Sequence, residues 1–121
     1  MNLKIHNFNE ISVAELIPDD FIINEVQDML DLIANASYSG VRKIIIHESN
    51  ITPDFFDLKT GIAGEMLQKF STYRMQLAII GDFSKYKSKS FRDFIYESNK
   101  YGRILFLPAV EMAFERFTQI N

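Results

Sequence analysis

Three short apolar runs, Ile44-Ile45-Ile46, Leu77-Ala78-Ile79-Ile80 and Ile104-Leu105-Phe106-Leu107, constrain this chain more than any other feature. Each reads as a strand. Between them lie longer segments with apolar residues at helical spacing: Ile62, Ala63, Met66, Leu67 and Phe70 in one, Phe91, Phe94 and Ile95 in the other. Strands separated by helices imply right-handed crossovers and a largely parallel sheet.

The rest of the chain extends that pattern. Residues 2–8 and 11–17 read as two strands joined by a turn at Asn9-Glu10, which adds an antiparallel edge. A helix follows, with Asp20 or Asn24 as its cap, Asn24 and Gln27 spaced like a capping box, and Val26, Met29, Leu30 and Ile33 as its apolar stripe. Gly40 suits a left-handed position at its end. Ser90 and Asp93 are spaced as a second cap, for a helix near 90–99, and Glu97 with Asn99 read as surface and C-cap. Pro108 starts a final helix with Val110, Ala113, Phe114 and Phe117 facing inward. The expectation is a single α/β domain over 1–121, with elements in the order ββαβαβαβα and a mixed, mostly parallel sheet.

Composition narrows the function. The chain has no cysteine, which removes disulfides, thiolate metal sites and cysteine nucleophiles. A net charge of -3 disfavours general nucleic-acid binding. No apolar run is long enough for a signal peptide or a bilayer span, so no membrane role and a cytoplasmic location are expected. Eleven Phe and five Tyr fall mostly at core spacing, but Phe55-Phe56 and Phe83-Tyr86 lie in loops, where they line a groove or fold down as a lid.

If the later strands are parallel, the loops at 47–57, 81–89 and 107–109 gather on one rim, where ligands and partners commonly meet an open α/β sheet. The first loop carries His47, Glu48, Ser49, Asn50, Asp54 and Asp57; the second carries Asp82, Ser84, Lys85, Lys87 and Ser88. His47 at a strand end could act as a general base, but no nucleophile stands at a recognisable spacing, and a hydrogen-bonding role is the plainer reading. His47 and Glu48 are adjacent on a strand and point to opposite faces, which argues against a shared metal. His6, on the first strand, receives no role. Thr60-Gly61 opens a helix expected over 59–73; a phosphate on Thr60 would sit among free N–H donors, whereas the plain alternative has Asp57 as cap and Gly61 with Gly64 permitting close approach to the sheet. The basic run from Lys85 to Arg92 could grip a phosphate or an acidic loop, or be a solvated surface. There is no glycine-rich phosphate cradle. No catalytic residue, cofactor or metal is expected.

Two resemblances follow. The run from Phe55-Phe56-Asp57-Leu58-Lys59-Thr60-Gly61 to Phe70, with Ala78-Ile79-Ile80-Gly81-Asp82-Phe83-Ser84 and Phe94-Ile95-Tyr96-Glu97-Ser98-Asn99, resembles an uncharacterised bacterial family, domain of unknown function 4180. The element order, with a hydroxyl-Gly pair at a helix start, is similar to the STAS domain of anti-sigma-factor antagonists. That resemblance implies a STAS-like sheet, docking onto a partner kinase, and phosphorylation at Thr60 with Gly61 as the glycine that follows. Leu58 stands where the aspartate of that pattern would be, and Lys59 where a small residue would be.

The leading expectation is a small regulatory module that binds a protein partner through the 48–61 loop and the helix start, with Phe55 and Phe56 as apolar anchors and His47, Ser49, Asn50, Asp57, Lys59, Thr60, Gly61, Asp82, Lys85 and Lys87 on the same surface. The alternative is a small enzyme or ligand-binding protein holding an anionic ligand with His47, Asp82, Lys85 and Lys87. A homodimer formed through an apolar face is a third reading.

Overall fold

A computed structural model describes residues 1–119. Five strands, β1 (Leu3–Phe8), β2 (Ile11–Leu16), β3 (Lys43–His47), β4 (Gln76–Ile80) and β5 (Ile104–Leu107), form one sheet in the order β1-β2-β3-β4-β5. β1 is antiparallel to β2; every other pair is parallel. The helices are α1 (Val26–Tyr38), α2 (Ile62–Thr72), α3 (Lys89–Tyr101) and α4 (Val110–Gln119).

The sequential strand order decides where the helices go. Right-handed crossovers that always step in one direction place their helices on one face. Ile44, Ile46, Leu77, Ile79 and Phe106 accordingly pack with Leu32 of α1, Met66 and Phe70 of α2 and Phe91 of α3. The alternate residues Val13, Ile45, Ala78, Leu105 and Leu107 face the other way, against Ala113 and Phe117 of α4. α4 follows the last strand and so is free to cover the second face.

Local chemistry moves several boundaries. Asn9 and Glu10 both take left-handed φ, +47° and +66°, which matches the twist of a two-residue hairpin. Asp28, rather than Gln27, completes the cap of α1: its carboxylate accepts the backbone N–H of Asn24 at 2.9 Å and of Glu25 at 3.2 Å. The chain cannot turn into helix earlier because Ile23 is tied to the 50–52 segment through Ile23 N–H to Asn50 O and Thr52 N–H to Ile23 O. Ser88, not Ser90, caps α3 by accepting the Phe91 N–H. Pro108 precedes α4 instead of opening it. Gly40 is left-handed, φ +76°, as its place after α1 requires.

The two sheet edges differ. On β5, the Asn99 side chain copies a neighbouring strand: its Nδ2 donates to Phe106 O at 3.0 Å and its Oδ1 accepts the Phe106 N–H at 2.7 Å. The Ser98 hydroxyl donates to Ile104 O. Asn99 is therefore an edge cap rather than the helix C-cap expected from its position. Among the described residues β1 pairs only with β2, and its outer side is open.

Candidate functional site

The exits of β3 and β4 lie side by side, because His47 pairs with Ile80 in register. β3 runs at once into a tight turn, Glu48–Asn50, held by its last residue. Asn50 is fully buried; its Oδ1 accepts the His47 N–H, and its Nδ2 donates to Ile17 O and Phe21 O, both at 3.1 Å. It ties the rim to the segment that enters α1, so it is a structural residue and not part of an accessible surface.

Glu48 stands at the junction of the two loops. Its Oε2 receives Lys85 Nζ at 2.7 Å and the Tyr86 hydroxyl. Burial pushes the Tyr86 phenol well above its ordinary range, and the hydrogen bond to Glu48 with its negative charge adds to the shift. Gly81 at the end of β4 makes room for this carboxylate: a Cβ there would lie 2.7 Å from Glu48 Oε1 and 2.8 Å from Glu48 Cβ. Lys85 is thus already neutralised. Asp82 turns inward on its own loop, accepting the N–H and hydroxyl of Ser84; those bonds, with Lys85 and Lys87 nearby, hold its carboxyl below the usual range. His47 points to the α4 face, so His47, Asp82 and Lys85 do not converge on an anionic ligand.

Phe55 and Phe56 are not exposed anchors. Their relative exposures are 0% and 7%, because Thr52 caps a tight turn over Pro53–Phe56 that folds both rings onto the core. Phe56 stacks on Tyr86 at 5.0 Å and meets Phe91 edge-on, so the loop aromatics fold down as a lid. The next turn, Leu58–Thr60, is capped by Asp57, whose carboxylate accepts the Lys59 N–H. α2 begins only at Ile62, three residues later than expected from Lys59. The Thr60 hydroxyl donates toward Asp54 O and Asp57 O and accepts the Ile62 N–H. Gly61 is required by its left-handed φ of +78°, which ends the turn; Gly61 and Gly64 both have open space where a Cβ would stand, so neither serves close approach.

What remains accessible is a groove of about 530 Å³ lined by Ile22, Ser49, Thr52, Pro53, Lys85 and Tyr86, among others. Ile22 is 42% exposed. Lys87 follows Tyr86 in the chain, and its Nζ reaches Ser84 O at 3.4 Å. Among the described residues neither Lys87 nor Arg92 has an acidic partner, whereas Lys85 and Lys89 do.

A second cluster escaped the sequence reading. Glu15 on β2 bridges two imidazoles, His47 Nε2 at 2.7 Å and His6 Nε2 at 2.9 Å. A carboxylate can only accept, so each imidazole donates from Nε2. Burial pushes the Glu15 carboxyl up, but hydrogen bonds from His47 and His6, with their charges, outweigh it and hold the group below its ordinary value. Phe114 of α4 meets His6 edge-on at 5.0 Å. His6 and Glu15 were within reach of sequence reasoning: the two-residue turn fixes the hairpin register and sets them diagonally on one face. His47 needed the β2–β3 pairing. No group of three His, Cys, Asp or Glu among the described residues is arranged to hold a metal, and these three side chains are spent on one another.

Among the described residues no helix is long and apolar enough to cross a membrane. No curated protein and no solved structure matches the chain. A family model described as "Domain of unknown function (DUF4180)" matches residues 8–117, and the chain belongs to that family.

Proposed function

We propose that this protein is a small binding module of STAS-like architecture that docks a protein partner on the strand-exit rim. The observation that carries the reading is the groove between Ile22, the 49–53 loop and Lys85–Tyr86, which carries an exposed aliphatic side chain and the Lys85–Glu48 ion pair, with Lys87 one residue beyond its Tyr86 wall. Such a surface suits an extended segment with an apolar side chain followed by acidic ones; Ile22 and Tyr86 would contact the first, Lys87 and Arg92 the second. The sequential sheet with one antiparallel edge supports the STAS-like assignment. In this reading, charge added at Thr60 acts indirectly, by releasing the hydroxyl bonds that fix the 54–62 turn behind the loop.

The test compares capture of a partner by the wild-type chain, by Ile22→Asp and Lys87→Glu on the rim, and by Tyr101→Ser on the distant end of α3. Both rim variants should lose the partner while Tyr101→Ser keeps it. Equal capture by all four proteins would refute the assignment.

A further inference from the structure

We infer that the open edge of β1 pairs antiparallel with the same edge of a second copy, about a twofold axis at Ile5. The hairpin decides which backbone groups are free. The Ile17 N–H donates to Asn2 O, so Asn2 and Ile17 form a hydrogen-bonded pair. Such pairs alternate along an antiparallel ladder. With Lys4 opposite Glu15, His6 opposite Val13 and Phe8 opposite Ile11, the even residues bond inward to β2. Leu3, Ile5 and Asn7 therefore turn their N–H and C=O groups outward.

Three outward residues at alternate positions are self-complementary. With Ile5 on the axis, Ile5 faces Ile5 of the second copy, and Leu3 faces its Asn7 in both directions; each pair exchanges both bonds. Ile5 is 39% exposed, and at the axis the two isoleucine side chains cover one another. On the opposite face, Lys4 of each copy falls beside His6 of the other. Alternation puts Lys4 on the face of His6 and Phe8, which both touch Phe114 of α4. His6 is hydrogen-bonded to Glu15, so the Lys4 ammonium of one copy lies beside the carboxylate-held imidazole of the other, twice over. Lysine on an edge strand usually discourages pairing; here Lys4 already has a carboxylate, Glu15 of its own chain, directly across the hairpin. The contrast with β5, where Ser98 and Asn99 occupy the edge, leaves β1 as the side on which the sheet can continue.

Sedimentation equilibrium of the chain with a free N-terminus tests this. The wild type should approach twice the chain mass as concentration rises. Ile5→Pro removes an outward N–H and leaves the inward ladder intact, so it should sediment at the chain mass with unchanged far-ultraviolet circular dichroism. Ile5→Glu keeps the backbone and sets two carboxylates face to face, raising the dissociation constant by at least about tenfold. A wild type that stays at the chain mass, or an Ile5→Glu variant that associates as the wild type does, would overturn the inference.

Discussion

Replacing Asn99 by alanine should cost this fold much more than a substitution near the end of a helix usually does. Asn99 exchanges two hydrogen bonds with Phe106, at 2.7 and 3.0 Å, and Phe106 is 3% exposed. Alanine would leave an N–H and a C=O of β5 without partners. Each such group costs about 1–3 kcal/mol when water cannot replace the lost partner. An edge admits some water, so the sum falls to about 2–4 kcal/mol, a large share of the roughly 5–15 kcal/mol that holds a domain of this kind folded. Ser98→Ala removes a single bond, to Ile104 O, and should lose about 1 kcal/mol. Asn99→Asp keeps an acceptor for the Phe106 N–H but loses the donor to Phe106 O, and should fall between the two. Urea unfolding followed by circular dichroism gives each value by linear extrapolation. The alanine variant should also self-associate more readily, because its edge is unblocked. An Asn99→Ala chain within about 0.5 kcal/mol of the wild type would refute the edge-cap argument.

Gly81→Ala should destabilise by about 1–3 kcal/mol, since the new methyl meets the anchored Glu48 Cβ as well as its movable Oε1; a thermal midpoint equal to the wild type would contradict the crowding. Phe55→Ala should lose about 3–5 kcal/mol as a core truncation, measurable by urea unfolding, whereas an exposed anchor would lose almost none. Glu15 provides a pH test. Its carboxyl is held below its ordinary value, so its contribution is present above the usual carboxylate range and is lost as pH falls through the lowered value. Glu15→Gln should lose stability near neutrality and show a flatter acid limb; parallel pH profiles for the two proteins would sink the assignment.

Much of this architecture is legible in the chain because its signals are local. The apolar runs at Ile44, Leu77 and Ile104, the stripe at Ile62-Met66-Phe70 and the turn at Asn9-Glu10 each need only near neighbours to be read. Parallel pairing of β3, β4 and β5 follows from the crossovers between them. Caps lie one to five residues away from the positions read in the sequence, because several polar residues compete for each helix start and tertiary ties such as Ile23 to Asn50 choose among them.

Side-chain partnerships were beyond the sequence. Nothing local distinguishes a loop phenylalanine that is exposed from one folded onto the core, and Phe56, with Phe55 edge-on against it, packs on Tyr86 and Phe91, thirty or more residues away. Glu48 meets Lys85 and Tyr86 only because β3 and β4 end together, and His47 joins the His6–Glu15 pair of the hairpin only because β3 lies beside β2. Periodicity along the chain determined which elements form and which faces they bury. Register between strands, a property of the whole sheet, decided which charges and rings meet.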